Sequence, residues 1–294
     1  MKIIITGSLG NISRPLTKEL VEKGHSITVI SSNTERQKDI ETLGANAAIG
    51  SLDDVSFLAE TFTNADAVYC MVPPNFRELN SVDYYKRIGQ NYKKAIEQSK
   101  VKRIVFLSSW GAHLDKGTGT ILGSYHVEQI LKDLENVHIT YIRACSMYYN
   151  LNNYIDMIKN ADMIGTNYKG SDTIVWVAPS DIADAVEEEL TKTTNDNLNI
   201  CYVASDEVTA DETAKALGEA IGKPNLRWTS FSNEQVKKSL MDMGLPEDFA
   251  QDLTDLNSSI SSGKMGEDYE LNKPVLGKVK IKDFAREFAD AYNK

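Results

Sequence analysis

Residues 2–24 constrain the fold of this chain more than any other segment. Residues 3–5 are all isoleucine, and such an apolar, β-branched run is typical of a strand buried on both faces of a parallel sheet. Gly7 and Gly10 follow the run, and apolar residues then recur at helical spacing until Gly24. The segment therefore predicts a strand, a glycine turn and a helix in direct succession.

A turn of this kind leaves backbone N–H groups without partners at the start of the helix. These groups carry partial positive charge, so they suit a phosphate. Gly7 would allow the tight turn, and Gly10 would let a pyrophosphate approach without a Cβ atom in the way. The third position of this G-x-x-G-x-x-G pattern is Ser13, which is small enough for the helix to pack on the strand. The alternative interpretation is a βα turn that binds no ligand.

Apolar runs alternate with helical patterns through the first half of the chain. The predicted strands cover residues 3–5, 26–31, 47–49, 66–72, 101–107 and 139–143. This alternation favours an α/β fold with a doubly wound parallel sheet. We predict a dinucleotide-binding domain over residues 1–150 and a smaller α/β C-terminal lobe over residues 151–294, which would bind the substrate. Strands predicted at 174–177 and 199–203 are candidates to extend the main sheet, and the Gly/Ser-rich stretch 258–266 is predicted to be a mobile loop.

The charge and the cysteine content exclude several function classes. The chain carries 32 Lys and Arg against 42 Asp and Glu, a formal net charge of −10, and no basic run. Nucleic-acid binding through phosphate neutralisation is therefore disfavoured. Three widely spaced cysteines without a C-x-x-C pair predict neither a disulfide framework nor a metal site. No apolar run approaches the length of a membrane span and the chain starts directly with a strand, so we expect a cytoplasmic protein.

The end of the second predicted strand bears on the choice of cofactor. An acidic residue there would bind the ribose hydroxyls of NAD, but the chain has Ser31, Ser32 and Asn33, with Arg36 close behind. Nothing at this tip repels a 2′-phosphate, and Arg36 could pair with one, so the sequence favours NADP(H) over NAD(H). The alternative interpretation places Arg36, next to Glu35, on a solvated helix face.

The candidate catalytic residues depart from the usual reductase pattern. Many short-chain dehydrogenases combine a serine after the fifth strand with a Tyr-x-x-x-Lys pair, whose lysine lowers the tyrosine pKa. Ser108 and Ser109 lie where that serine is expected and Tyr125 lies on the following helix, but the residue four positions after the tyrosine is Gln129. Tyr125 and His126 remain the candidates for proton transfer, with a pocket wall as the alternative role. A quinone can take its proton from water, so a reductase without the pair stays feasible.

Several segments together resemble a known family. They include TGSLGNIS at the glycine turn, YCMVPP after the fourth predicted strand, YHVEQILK, ITYIRACSMYYNL, PSDIADAVEEEL and MGLPEDFAQDL. Over nearly its whole length the chain resembles the NmrA-like family, an atypical branch of the short-chain dehydrogenases and reductases. The resemblance implies a Rossmann domain that binds NAD(P) and a small C-terminal domain that closes a cleft.

The resemblance also implies roles for individual residues. The dinucleotide loop would be formed by Gly7, Leu9, Gly10, Asn11 and Ile12, the adenosine-phosphate end by Ser32, Asn33 and Arg36, and the ribose side by Met71, Val72 and Pro73. Ser108 joins these cofactor-binding residues through its place after the fifth strand. The substrate is expected near Tyr125, His126, Trp110, Met147 and Tyr148. The chain departs from the family pattern at Ser13, at Ser32 and at the missing lysine.

Two function classes follow from this resemblance. Some family members are NADPH-dependent quinone reductases, and others are redox sensors that bind the dinucleotide without turnover. We expect an NAD(P)H-dependent oxidoreductase of the quinone-reductase type, whose partner is a small-molecule acceptor. We expect it to bind neither nucleic acid nor a membrane. A second copy of the chain, in a homodimer, is a further candidate partner. The alternative is a non-catalytic NAD(P)-binding redox sensor, and a nucleotide-sugar epimerase ranks lower because it normally needs the Tyr–Lys pair.

Overall fold

The computed structural model describes residues 1–75, 78, 80–193 and 197–294, and these residues form two compact units. The first unit comprises Met1–Ser109, Gly123–Arg143 and Ile182–Cys201. The second comprises Trp110–Leu122, Ala144–Asp181 and Tyr202–Lys294. The predicted division at residue 150 differs from this one, because later segments of the chain return to the first unit.

Strands and helices follow one another closely along the described residues. The strands are β1 (Lys2–Ile5), β2 (Ser26–Ser31), β3 (Asn46–Ile49), β4 (Ala67–Cys70), β5 (Arg103–Ser109), β6 (His138–Ala144), β7 (Ser146–Met147), β8 (Ile164–Thr166), β9 (Thr173–Val177), β10 (Leu198–Val203), β11 (Asp206–Thr209) and β12 (Trp228–Ser230). The helices are α1 (Ser13–Glu22), α2 (Gln37–Thr42), α3 (Val55–Phe62), α4 (Ser81–Ser99), α5 (Leu122–Leu131), α6 (Ile155–Ala161), α7 (Pro179–Thr191), α8 (Ala210–Ala220), α9 (Asn233–Asp242), α10 (Glu247–Ser261), α11 (Lys264–Leu271) and α12 (Ile281–Tyr292).

The first unit is built on a seven-stranded sheet in the order β10-β6-β5-β4-β1-β2-β3. Strands β1 to β5 pair in parallel, with β1 between β2 and β4. This arrangement confirms the predicted α/β class with a doubly wound, Rossmann-like sheet. The strand predicted at 199–203 is β10, which does extend the main sheet as an edge strand.

The interior of this unit explains why its strands read as continuous apolar runs. Ile3, Ile4 and Ile5 are completely buried, because helices cover both faces of a parallel sheet. On one face α3 and α4 pack together, and the rings of Phe62 and Tyr92 stack with their centroids 6.5 Å apart. Helix α3 is capped by Asp54, whose side chain accepts a hydrogen bond from the N–H of Phe57.

The second unit contains a three-stranded sheet in the order β11-β9-β7 and a two-stranded sheet of β12 and β8. The strand predicted at 174–177 is β9 and belongs to the three-stranded sheet, so its predicted addition to the main sheet is wrong. It pairs with β11 and β7, which occupy both of its edges. The core of this unit is aromatic: the ring of Tyr148 stacks on Trp176 at 6.0 Å and on Phe284 at 5.1 Å.

The mobile loop predicted at 258–266 is also wrong. Helix α10 runs to Ser261 and α11 starts at Lys264, so two residues separate the helices. The stretch is ordered by buried side chains, because Met265 is 2% exposed and its sulfur lies 2.7 Å from the hydroxyl oxygen of Ser259. Gly263 supplies the left-handed turn between the helices with φ +74°. Among the described residues, no helix has both the length and the apolar character needed to span a bilayer.

Candidate dinucleotide site

The turn after β1 has the backbone conformation that its glycine predicts. Gly7 has φ +86° and Ser8 has φ 54°, so the chain turns through two left-handed residues. The N–H of Ser8 donates to the carbonyl of Ile30 at 3.1 Å, and its hydroxyl donates to the Ser31 hydroxyl at 3.0 Å. These bonds attach the turn to the end of β2, the place where a bound adenosine would begin.

The start of α1 has the properties of an anion-binding site. Ile12 precedes the helix and gives it no side-chain cap, and its first turn holds no acidic residue. The N–H groups of Asn11 and Ile12 have no hydrogen-bond acceptor among the described residues. Uncapped N–H groups at a helix start favour negative charge, so the predicted loop of Gly7, Leu9, Gly10, Asn11 and Ile12 fits a pyrophosphate.

The space above Gly7 explains why this position carries no side chain. A Cβ atom there would lie 2.9 Å from the sulfur of Met71 and 3.0 Å from the Ser13 hydroxyl oxygen. The Ser13 hydroxyl donates to the carbonyl of Thr6 at 2.9 Å, and this side chain is 3% exposed. Serine thus does more at the third position of the motif than allow close packing, because its hydrogen bond ties α1 to the end of β1.

The end of β4 borders the same turn, as the sequence predicts for Met71, Val72 and Pro73. The N–H of Met71 donates to the Thr6 hydroxyl at 2.9 Å, and the Met71 carbonyl accepts from the Tyr92 hydroxyl at 2.7 Å. Val72 is buried and Pro73 is half-buried. The backbone at the end of β4 is therefore fixed against β1 and α4, which holds these residues beside the glycine turn.

The predicted adenosine-phosphate residues lie exposed after β2. Ser32, Asn33 and Arg36 are all solvent-exposed, and the buried Ser31 precedes them. The side-chain oxygen of Asn33 accepts from the N–H of Glu35 and so caps the short 3-10 turn that follows. The Arg36 guanidinium lies 3.5 Å from the carboxylate of Asp39, and both side chains are about half exposed. Arg36 is therefore both a solvated helix residue and an available cation.

Ser108, predicted to contact the cofactor, belongs to a buried charged cluster. Its hydroxyl donates to the carboxylate of Glu128 at 2.5 Å. The same carboxylate accepts two bonds from the Arg143 guanidinium, at 2.6 Å and 3.0 Å, and both charged side chains are 5% exposed or less. Sequence reasoning missed Glu128 and Arg143. The sequence does give a signal for them: Glu128 interrupts the apolar face of the helix at 122–131, and Arg143 interrupts the apolar strand at 138–144.

The candidate proton donors Tyr125 and His126 are neighbours on α5. Their rings meet edge to face with centroids 5.2 Å apart, and both side chains are half-buried. Burial lowers the pKa of His126, and the nearby charge of Lys86 lowers it further, so the imidazole is neutral near pH 7. At the position of the missing lysine, the side-chain oxygen of Gln129 accepts a bond from Lys132.

The three residues predicted to line a substrate pocket belong to the second unit. Trp110 is 5% exposed and its ring lies 6.4 Å from that of Tyr269. Met147 is half-buried, and its sulfur accepts from the Tyr149 hydroxyl. Tyr148 is completely buried in the aromatic core, and burial raises the pKa of its hydroxyl. Tyr148 therefore packs as a core residue in this unit.

The described residues also limit metal and thiol chemistry. Within them, no group of three His, Cys, Asp or Glu side chains is placed to hold a metal ion. All three cysteines are unbridged. Burial raises the pKa of the Cys70 and Cys145 thiols and keeps them protonated, so neither has the thiolate character of a nucleophile.

Comparisons with known proteins agree with this geometry. An NAD(P)H azoreductase from Xenophilus azovorans is 23% identical over 260 residues, which cover 86% of this chain and 85% of that protein. The structure of Citrobacter sp. triphenylmethane reductase complexed with NADP(H) superposes with a TM-score of 0.81 at 21% identity, over 98% of this chain and 99% of that one. An NADPH-dependent quinone oxidoreductase from Escherichia coli, complexed with NADPH, gives a TM-score of 0.82 at 17% identity over 97% and 99% of the two chains.

The solved structures share the fold of this chain, and the family is shown by a separate comparison. The model of the NmrA-like family matches residues 1–280, almost the whole sequence. That range includes the glycine turn, the end of β4, and the α5 and β6 segments that carry the buried charged cluster. The chain therefore belongs to the NmrA-like family.

Proposed function

We propose that this protein is an NADPH-dependent oxidoreductase that reduces a small conjugated acceptor of the quinone type. The observation that carries the proposal is the uncapped start of α1 behind the Gly7 turn. Free N–H groups, two left-handed residues and no acidic side chain in the first turn make this a place for a pyrophosphate. With a formal net charge of −10, the chain holds an anionic cofactor with backbone donors in place of clustered cations.

The preference for NADPH is supported by the residues after β2. No carboxylate occupies the position at Ser32 that would bind the ribose hydroxyls of NAD, and Arg36 supplies a cation three residues after Asn33. Two of the similar solved structures, a triphenylmethane reductase and a quinone oxidoreductase, were determined with NADP(H) and NADPH. Arg36 would pair with the 2′-phosphate, and Asn33 would remain the cap of its own turn.

The residues of this chain serve mainly to bind and position. When bound, the cofactor supplies a hydride. The turn around Gly7 would hold the pyrophosphate, and the Met71 backbone, fixed by Thr6 and Tyr92, would border the ribose. A quinone spreads the incoming negative charge over its ring and can take its proton from water, so reduction does not require the missing lysine. Tyr125 and the neutral His126 are the candidate groups for relaying that proton.

A redox sensor that binds the dinucleotide without turnover is the second candidate. Two observations favour it. Gln129 stands where a reductase would have its lysine, and the Ser108 hydroxyl donates to the buried carboxylate of Glu128. A sensor would bind both redox forms of the cofactor tightly and reduce no acceptor.

One experiment separates these functions. We expect purified protein to oxidise NADPH in the presence of 1,4-benzoquinone or 9,10-phenanthrenequinone, measured by the loss of absorbance of the reduced cofactor between pH 5 and pH 9. The reaction without protein gives the background rate, and calorimetry with NADPH and NADP+ gives the affinities. Tight binding with no rate above background would contradict the reductase and support the sensor. Failure to bind either form would contradict both.

The pairing of Arg36 gives a separate prediction about cofactor choice. We expect Arg36→Ala to weaken NADPH binding roughly fivefold to tenfold and to leave NADH binding unchanged, because an exposed ion pair contributes about 1 kcal/mol. Asp39→Asn should strengthen NADPH binding about twofold, since Asp39 competes with the phosphate for the guanidinium. Lys38→Ala, which removes an exposed cation of the adjacent helix α2, is the matched control. Equal losses for NADPH and NADH in Arg36→Ala would contradict the assignment.

A further inference from the structure

The side chain of Met71 packs directly on the glycine turn. A Cβ atom added to Gly7 would lie 2.9 Å from the Met71 sulfur and 3.0 Å from its Cγ atom, so the thioether lies against the Gly7 backbone. The backbone of Met71 is fixed at the same place, because its N–H donates to the Thr6 hydroxyl and its carbonyl accepts from the hydroxyl of the buried Tyr92. The sulfur therefore stays beside the turn that would hold the pyrophosphate.

The exposure of Met71 lies between two extremes among the methionines of this chain. Met265 is 2% exposed and belongs to a packed interior, whereas Met243 is 69% exposed on the surface of the second unit. Met71 is half-buried, with its sulfur on the turn. A small solute such as hydrogen peroxide can therefore reach Met71 in the free protein, and a dinucleotide bound at the turn would cover it.

Thioether chemistry gives this access a consequence. Hydrogen peroxide transfers one oxygen atom to a methionine sulfur: the sulfur gives an electron pair to that oxygen, the O–O bond breaks, and the second oxygen leaves as water. The sulfur is oxidised by two electrons and the peroxide is reduced by two. The product, methionine sulfoxide, is polar where the thioether was apolar, and sulfoxide reductases restore the thioether.

We infer that Met71 is a reversible oxidation site, and that its sulfoxide lowers the affinity of the protein for the dinucleotide. The inference rests on the proposed function and adds a means of regulating it. The sulfoxide oxygen needs room beside Gly7, where the sulfur is already in contact, so the side chain or the turn must shift. That oxygen also carries partial negative charge next to the turn that would hold a phosphate, and like charges repel. Both effects weaken binding.

The experiment treats the full chain with hydrogen peroxide and follows the sulfoxide content of each methionine by peptide mass spectrometry. We expect NADP+ at about ten times its dissociation constant to slow the oxidation of Met71 roughly tenfold, because only about a tenth of the protein is then unbound. The oxidation rate of Met243 should not change. Calorimetry with NADPH should show about tenfold weaker binding after treatment, equivalent to the loss of one or two hydrogen bonds.

Two substitutions isolate the effect of the Met71 sulfur. Met71→Leu has no thioether at this position, so its NADPH affinity after peroxide treatment should equal its own affinity before treatment. Met243→Leu is the matched control, because it removes a more exposed methionine from the second unit. Peroxide should weaken NADPH binding by Met243→Leu as much as it weakens binding by wild type.

The inference is overturned if Met71 carries no sulfoxide once Met243 is fully converted, or if NADP+ does not slow the oxidation of Met71. An equal loss of NADPH affinity in Met71→Leu and wild type would overturn it as well. Absence of NADPH binding by the untreated protein would contradict both the proposed function and the inference. Binding that stays unchanged although Met71 is oxidised would contradict the inference alone.

Discussion

Gly7→Ala should lower the affinity of the protein for NADPH roughly 100-fold, the equivalent of a few lost hydrogen bonds. The added Cβ atom would lie 2.9 Å from the Met71 sulfur and 3.0 Å from the Ser13 hydroxyl oxygen. Met71 can move away because its side chain is flexible, but it then fills the space beside the turn. The strained turn would also shift, and the backbone N–H groups proposed to hold the pyrophosphate would shift with it. Calorimetry with NADPH measures the loss.

Gly24→Ala separates this effect from backbone strain. Gly24 has φ +82°, close to the φ of Gly7, and a Cβ atom there would meet nothing within 4 Å. Both variants should lose about 1–2 kcal/mol of unfolding free energy, since each forces alanine into the left-handed region. Only Gly7→Ala should lose NADPH affinity. Equal affinities in the two variants would show that the turn is a structural element without a ligand.

Arg143→Met should cost about 3–5 kcal/mol of unfolding free energy, because it leaves the Glu128 carboxylate buried without its cation. The pair is almost inaccessible to solvent, and the Glu128 carboxylate also accepts a hydrogen bond from the Ser108 hydroxyl. Glu128→Leu/Arg143→Met should recover most of this loss, since no charge then remains inside. Denaturant unfolding of the two variants and wild type measures the difference.

The matched control for this prediction is an ion pair of the same unit that lies in solvent. Lys18 and Glu22 are 3.8 Å apart, with both side chains about two-thirds exposed. Lys18→Met should change stability by less than about 0.5 kcal/mol. A loss in Arg143→Met as small as that of Lys18→Met would contradict the buried ion pair described here.

The parts of the fold that could be predicted from the sequence are those with a local signal. The isoleucine run, Gly7 and the helical pattern that follows share one short segment, and β1, the turn and α1 form there as expected. The seven-stranded sheet follows from the repeated alternation of strand and helix, because parallel strands require crossover connections.

What the sequence did not predict depends on partners that are distant along the chain. Glu128 lies on a helix and Arg143 on the next strand, and no spacing rule links a helix residue to a strand residue. The stretch 258–266 has the composition of a loop, but Met265 has a buried place to fill, and this outweighs the low helix propensity of its neighbours. The pairing of β9 could not be predicted, because an apolar run indicates a strand and gives no information about its neighbours in the sheet.

The edge strand β10 has a consequence for how the protein is made. It is the outermost member of the seven-stranded sheet, next to β6, yet it ends at Val203. During synthesis the ribosome releases β6 well before this neighbour, so the growing chain carries an unpaired strand edge over some sixty residues of translation. A nascent chain stalled in that interval would be a natural client for a chaperone that shields open sheet edges.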